Sequence, residues 1–97
     1  MSGYIVAPRA RRELYEILDY ISERSPAGAR RVRSAISGAM ERIARTPGMG
    51  HKREDITDRP VRFWSVLGRY TLIYREDDPI EFIHVVGPGR DVASILG

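Results

Sequence analysis

Apolar residues in the first half of the chain recur at intervals of three and four positions, the spacing of one face of an α-helix. The first such stripe follows Pro8, which suits the first position of a helix because its missing N–H would be unpaired there. The stripe breaks at Arg24-Ser25-Pro26. A helix is therefore predicted from Pro8 up to this break, and its apolar face consists of Leu14, Ile17, Leu18 and Ile21.

A second helix is predicted directly after the break. Ser25 has the side chain of a capping residue, and Pro26 fits the first helical position. The helix should end before Pro47-Gly48. Because the break is short, the two helices should fold back on each other as an antiparallel hairpin. The apolar face of the second helix would contain Ala29, Val32, Ile36, Ala39, Met40, Ile43 and Ala44.

The second half of the chain has the composition of β-strands. Three runs, at 61–67, 69–75 and 80–86, are separated by Gly68 and by the turn Glu76-Asp77-Asp78-Pro79. A shorter run of this kind at 4–6 precedes the first helix. Gly87-Pro88-Gly89 ends the last strand, and we expect one closing helical turn at 92–96.

This order, β-α-α-β-β-β, predicts an α+β fold in which the N-terminal helical hairpin packs on one face of a small, mostly antiparallel sheet. The length of 97 residues corresponds to one domain, spanning 1–97. Residues 47–60 have no periodicity and are rich in charge. A loop of this length in a small domain is usually functional or mobile.

Composition narrows the class of protein. The chain has no cysteine, which excludes disulfides and thiolate metal sites and fits a reducing compartment. No secretion leader and no membrane-spanning run is recognisable, so we expect a cytoplasmic protein without a membrane partner. Of the sixteen basic residues only Lys52 is lysine. Arginine binds phosphate and carboxylate groups in a bidentate manner, which favours a macromolecular partner, although a GC-rich genome would produce the same excess.

The placement of the arginines selects candidate binding residues. Arg30, Arg31 and Arg33 follow the start of the second helix, and the first acidic residue within this helix is Glu41. The first helix also begins with a cluster of arginines, Arg9, Arg11 and Arg12. Acidic residues of the same helix partly offset the charge of this cluster, which is typical of an ordinary solvated face. In the strands, arginines alternate with Trp64, Tyr70 and Tyr74. Such a pattern either forms an open RNA- or protein-binding face or places the aromatic rings in the core beneath the helices.

Catalytic motifs are few. The two histidines lack the spacing of a metal site, and neither GxGxxG nor a P-loop is present, so no metal or cofactor is expected. Metal-free RNA cleavage needs a base, an acid and cations for the phosphorane. The residues that could supply these parts are His51, Lys52, Arg62, Arg69, His84 and Arg90.

The chain resembles the RelE/ParE superfamily of toxins from type II toxin–antitoxin systems, and most closely the ParE branch. The resemblance runs nearly end to end. It rests on short motifs in a fixed order: Ala10, Glu13, Leu14, Ile17, Tyr20 and Ile21; Ser25-Pro26-x-x-Ala29; Ile43-Ala44-x-x-Pro47-x-x-Gly50; Gly68-Arg69-Tyr70-x-x-Ile73-Tyr74-Arg75; Ile80-Glu81-Phe82-Ile83-x-Val85; and Arg90-Asp91.

The resemblance implies a cognate antitoxin, of the ParD-like ribbon-helix-helix type with an acidic C-terminal tail, and a toxin–antitoxin hetero-oligomer. It implies DNA gyrase as the target of ParE-like members and ribosome-bound mRNA as that of RelE-like members. RelE-like ribonucleases carry a tyrosine or histidine near the C-terminus, whereas nothing after Arg90 is either residue here. Gyrase inhibition by protein contact, without a catalytic residue, is therefore expected, with an mRNA endonuclease and a non-toxic member as alternatives.

The sequence departs from the family pattern at one point. The family's usual Leu-His-Gly before the Arg-Asp pair is replaced by Val86-Gly87-Pro88. The residues expected to bind the antitoxin or the target are Arg30, Arg31, Arg33, Arg62, Trp64, Arg69, Arg75 and Arg90.

Overall fold

The structure, a computed structural model, describes residues 3–96. The predicted order of elements is confirmed, with a short 3₁₀ helix at Pro47–Met49 in addition. The strands and helices are β1 (Tyr4–Val6), α1 (Pro8–Ser22), α2 (Pro26–Arg45), β2 (Arg62–Val66), β3 (Tyr70–Arg75), β4 (Ile80–Val86) and α3 (Val92–Leu96). None of the helices in this part of the chain is both long and apolar enough to cross a bilayer.

The helical hairpin forms for the local reasons that the sequence indicates. Pro8 and Pro26 are the first residues of α1 and α2. The Ser25 hydroxyl accepts a hydrogen bond from the Gly28 N–H at 2.9 Å and so satisfies one of the free donors at the start of α2. The Ser25 N–H in turn donates to the Ile21 carbonyl at 2.8 Å. The chain therefore turns directly from one helix into the next.

The sheet has the strand order β1-β4-β3-β2. β2, β3 and β4 form consecutive antiparallel pairs, whereas β1 pairs with β4 in parallel, so the prediction of a mostly antiparallel sheet is confirmed. In β4 one extra residue, Ile83, stands opposite the step from Ile73 to Tyr74. This bulge immediately precedes His84 and Val85, the two β4 residues that bond to α1.

The larger core lies between the helical hairpin and one face of the sheet. Leu72, Tyr74 and Phe82 are fully buried there beneath Ile36 and Ile43 of α2. Tyr70 belongs to the same core, and the half-buried Trp64 packs against it. The alternative in which the strand aromatics lie beneath the helices is thus confirmed, and the alternative of an open face that combines arginines with these rings is wrong.

A smaller core covers the opposite face of the sheet. It is formed by Phe63, Ile73 and Val86 under Leu96 of α3 and Ile56 of the loop. Asp91 holds α3 in place, because its carboxylate accepts from the Ala93 N–H at 3.1 Å and from the Ser94 hydroxyl at 2.9 Å. The sheet is consequently apolar on both faces. Residues 47–60 are not free of structure, since part of this segment closes the second core.

Candidate functional site

A groove of about 530 Å³ lies between α1 and the end of the sheet where β3 begins and β4 finishes. Its volume is in the range of ligand sites, and its walls are mainly apolar. Two arginines, Arg69 and Arg90, stand on the sheet side, and two carboxylates, Glu13 and Glu16, stand on the helix side. The remaining lining residues are Ile17, Tyr20, Ile21, Tyr70, Val85, Val86, Gly87, Pro88 and Ile95.

Glu13 ties the two walls of the groove together. Its carboxylate accepts a hydrogen bond from the Val85 N–H at 3.0 Å and lies 3.2 Å from Nδ1 of His84. Because a carboxylate can only accept, Nδ1 is the ring nitrogen that carries the proton. β1 ends at Val6, opposite Phe82, so at Val85 β4 pairs with β3 on one side and has no neighbouring strand on the β1 side. Glu13 supplies the acceptor that a strand would otherwise provide.

Backbone geometry positions Arg69, one of the two arginines of the groove. Leu67 and Gly68, in the turn between β2 and β3, both have positive φ, at 57° and 64°. This tight turn brings Arg69 back to the start of β3, where the Arg69 N–H donates to the Val66 carbonyl at 3.1 Å. Within residues 3–96 neither Arg69 nor Arg90 forms an ion pair. Both are exposed, so they are available to an anionic ligand.

A second polar cluster lies at the opposite end of β3, around Tyr74. The Tyr74 hydroxyl donates to the Pro47 carbonyl at 2.6 Å and accepts from the Gly50 N–H at 2.9 Å. Burial raises the pKa of this phenol, against the opposing effects of the Gly50 hydrogen bond and the charge of Arg62. Arg62 donates to the Gly50 carbonyl at 2.8 Å and pairs with Glu76. These groups fix the loop rather than leave it open to a ligand.

The residues proposed for RNA cleavage fall in four places. Arg69 and Arg90 line the groove, whereas Lys52 and Arg62 line a shallow depression at the other end of the sheet. His84 is buried against Glu13. His51 stacks on Trp64, with ring centroids 6.1 Å apart, and bridges to Phe63 through two backbone hydrogen bonds of 2.8 Å. The structure does not bring the six candidates together.

The residues expected to bind a partner are also dispersed. Arg75 is engaged with Glu81 at 2.7 Å, and this hydrogen bond raises the pKa of its guanidinium. Arg62 stands opposite Tyr74 at one end of the sheet, and Trp64 stands opposite Leu72 in its middle. Arg69 and Arg90 belong to the groove. Arg30, Arg31 and Arg33 lie on α2 beyond the first turn that begins at Pro26, outside the part of the helix where the dipole acts most strongly.

Sequence reasoning missed the role of Glu13 and the contribution of Tyr20 to the groove. A signal was present, because Glu13 is followed at four- and three-residue steps by Ile17 and Tyr20. A carboxylate on the buried side of a helix needs a hydrogen-bond or ion-pair partner. The sequence alone does not reveal which residue is that partner.

Comparison with known proteins adds to this geometry. Residues 4–92 match the family model described as the ParE toxin of the type II toxin–antitoxin system parDE. The chain belongs to the ParE toxin family. Membership implies a cognate antitoxin as its partner. No curated protein matches the sequence.

A solved structure supports the fold of this ParE-family chain. The structure described as the chromosomal ParDE TA system from P. aeruginosa matches with a TM-score of 0.71. The match covers 91% of this chain and 97% of that chain, at 17% sequence identity. The architecture is therefore shared although few residues are.

Proposed function

We propose that the protein is a ParE-type toxin that inhibits DNA gyrase by protein–protein contact and is neutralised by its antitoxin. The observation that carries the proposal is the match of residues 4–92 to the ParE toxin family. The proposal treats residues 1–97 as one toxin domain. It needs no cofactor and no catalytic residue.

The distribution of polar groups supports action by contact. General acid–base chemistry requires a donor and an acceptor within hydrogen-bond reach of one substrate position. Here the His84 ring is turned to Glu13, and the His51 ring is stacked on Trp64. The cations of the groove and those around Lys52 lie at opposite ends of β3. No single point on the described surface is served by a histidine and by both groups of cations.

The groove is the surface that best fits the antitoxin. Its apolar walls and its two arginines, which form no ion pair with the described residues 3–96, complement a segment that alternates apolar and acidic side chains. We infer an antitoxin of the ParD-like ribbon-helix-helix type with such a segment in its C-terminal tail. The complex would then be a toxin–antitoxin hetero-oligomer.

Gyrase supercoiling of relaxed plasmid in the presence of the purified chain tests the target. The toxin should reduce supercoiling and increase the amount of cleaved DNA complex, and prior addition of the antitoxin should restore supercoiling. Full supercoiling at saturating toxin would refute gyrase as the target. Codon-positioned cuts in cellular mRNA on induction of the toxin would favour a ribonuclease instead.

A further inference from the structure

The outward face of α2 carries a dense set of cations that the proposed function does not use. Five arginines are exposed on this helix, and Glu41 is the only acidic residue among its twenty. Within residues 3–96 none of the five forms an ion pair. No residue of α2 lines the groove next to α1. The five arginines, called here the α2 basic face, are Arg30, Arg31, Arg33, Arg42 and Arg45.

The geometry of the helix divides the basic face into two clusters. Arg30, Arg31 and Arg33 lie toward the N-terminus, and Arg42 and Arg45 lie in the last turn. With a rise of about 1.5 Å per residue, Arg30 and Arg42 are about 18 Å apart along the axis. The surface that follows the first cluster is low, because it is made by small residues, among them Ser34 and Gly38, and the exposed Glu41 adjoins the second cluster. A side chain at Gly38 would approach the Arg42 guanidinium, since an added Cβ would lie 3.6 Å from Nη1.

The composition of the face identifies the class of ligand. α2 contains no aromatic residue, and the large hydrophobic side chains that are exposed elsewhere lie in other elements. Protein interfaces depend on buried aromatic and aliphatic anchors, and single-stranded nucleic acids are held by stacking on aromatic rings. Neither kind of contact is available on α2. Guanidinium groups alone suit a regular array of phosphates.

We propose that the α2 basic face binds the phosphate backbone of duplex DNA without reading its sequence. A major groove about 12 Å wide separates two rows of phosphates, and clusters about 18 Å apart can reach both rows. The low centre of the face lets the duplex come close to the helix. The major groove of A-form RNA is deep and narrow, so it is a poorer fit for the same helix. This surface is separate from the groove, and the proposal is independent of gyrase as the target.

Fluorescence anisotropy with the purified full chain and a labelled duplex of mixed sequence tests this proposal. Binding should weaken steeply with NaCl, with a slope of log K against log salt between about −3.6 and −4.5 for four or five phosphate contacts. The double variant Arg30→Gln/Arg31→Gln should bind about tenfold more weakly, and its slope should be smaller in magnitude by about 2. Glutamine keeps the helix propensity of arginine, so the fold should persist, which circular dichroism checks.

The variant Arg11→Gln/Arg12→Gln is a matched control, because it removes the same charge from exposed positions of α1. The control should retain the wild-type affinity for the duplex within about twofold, because its substitutions lie outside the proposed face. Equal losses in the two variants would show attraction by net charge alone and overturn the proposal. Absence of duplex binding at low salt would also overturn it, as would equal binding of the single strand. Binding of poly-L-glutamate but not of DNA would assign the face to an acidic protein instead.

Discussion

The Tyr74 hydroxyl accepts a hydrogen bond from the Gly50 amide across 24 positions of sequence, at 2.9 Å. The same hydroxyl donates to the Pro47 carbonyl at 2.6 Å. One phenol thereby satisfies two backbone groups of the segment that follows α2. Because Tyr74 is fully buried on the inner strand β3, the loop is fixed to the core at the end of the sheet that lies away from the groove.

Substitution Tyr74→Phe should lower the free energy of unfolding by about 1–3 kcal/mol, because it leaves the Gly50 donor and the Pro47 acceptor without their partner. Denaturant unfolding measures the loss. Tyr70→Phe is the control, since Tyr70 is also buried but its hydroxyl makes no hydrogen bond within residues 3–96. A Tyr70→Phe variant as unstable as Tyr74→Phe would contradict this role of the Tyr74 hydroxyl.

Substitution Gly50→Ala should destabilise the protein by about 1–3 kcal/mol through steric overlap. A Cβ at Gly50 would lie 2.5 Å from the Tyr74 oxygen and 2.8 Å from its Cε1, so the ring or the loop must move. Gly48→Ala should have little effect, because nothing lies within 4 Å of the Cβ position there. Thermal unfolding of the two variants side by side measures the difference, and equal melting temperatures would exclude the overlap.

Stability should fall at alkaline pH because of Tyr74. Burial raises its pKa in the folded state, so the folded protein holds the phenolic proton more tightly than the unfolded chain. The resulting stabilisation is complete below the unfolded pKa of about 10 and is lost as the pH rises through the folded pKa. Denaturant unfolding from about pH 9 to about pH 11 should show this decline. The stability gap between wild type and Tyr74→Phe should narrow over the same interval, and a gap that stays constant would contradict this role of the buried phenol.

Glu13 should matter more for stability than its neighbour Glu16. Glu13→Ala removes the acceptor of the Val85 N–H and the partner of His84, at a loss of about 1–3 kcal/mol. Glu13→Gln keeps one oxygen for the Val85 N–H and should lose less. Glu16→Ala, at an exposed position on the same wall, should change the free energy of unfolding by less than about 0.5 kcal/mol. The idea fails if Glu16→Ala proves as harmful as Glu13→Ala.

The two arginines of the groove should contribute to antitoxin affinity if the antitoxin binds there. Removing a charged hydrogen-bond partner loses about 1.5–3 kcal/mol, so Arg69→Ala and Arg90→Ala should each weaken the complex by about tenfold or more. Titration calorimetry with the antitoxin measures this. Arg53→Ala is a suitable control, because Arg53 lies outside the groove and pairs with Asp55 at 2.9 Å. Unchanged affinity in both groove variants would place the antitoxin elsewhere.

The elements of the fold could be predicted because their causes are local. The stripe of apolar residues, the Ser25 cap and the two prolines act within a few positions, and the helices begin where these signals lie. The strands follow from short runs bounded by turn residues. The parallel pairing of β1 with β4 depends on contacts between distant segments, and nothing in Tyr4–Val6 alone encodes its partner.

It was harder to predict which faces of the sheet are covered, although the sequence of β3 contained a signal. Leu72, Ile73 and Tyr74 are consecutive and all buried, which is typical of a strand covered on both faces. An expectation of one covered face misses the second core, which α3 and Ile56 close on the other side of the sheet. The hydrogen bond between Glu13 and Val85 could not be predicted either, because it joins residues 72 positions apart and depends on the bulge in β4.

The cover on the second face of the sheet has a dynamic consequence. Within residues 3–96, only the five residues of α3 and a stretch of loop protect Phe63 and Ile73 on that side, whereas two long helices protect the other. The free energy needed to open a small covering element locally is lower than the free energy of unfolding of the whole domain. Amide hydrogens of α3 should therefore exchange with solvent by local opening, well before those of β3. A ParE-type toxin built in this way can expose an apolar sheet face for short periods while its helical hairpin stays folded.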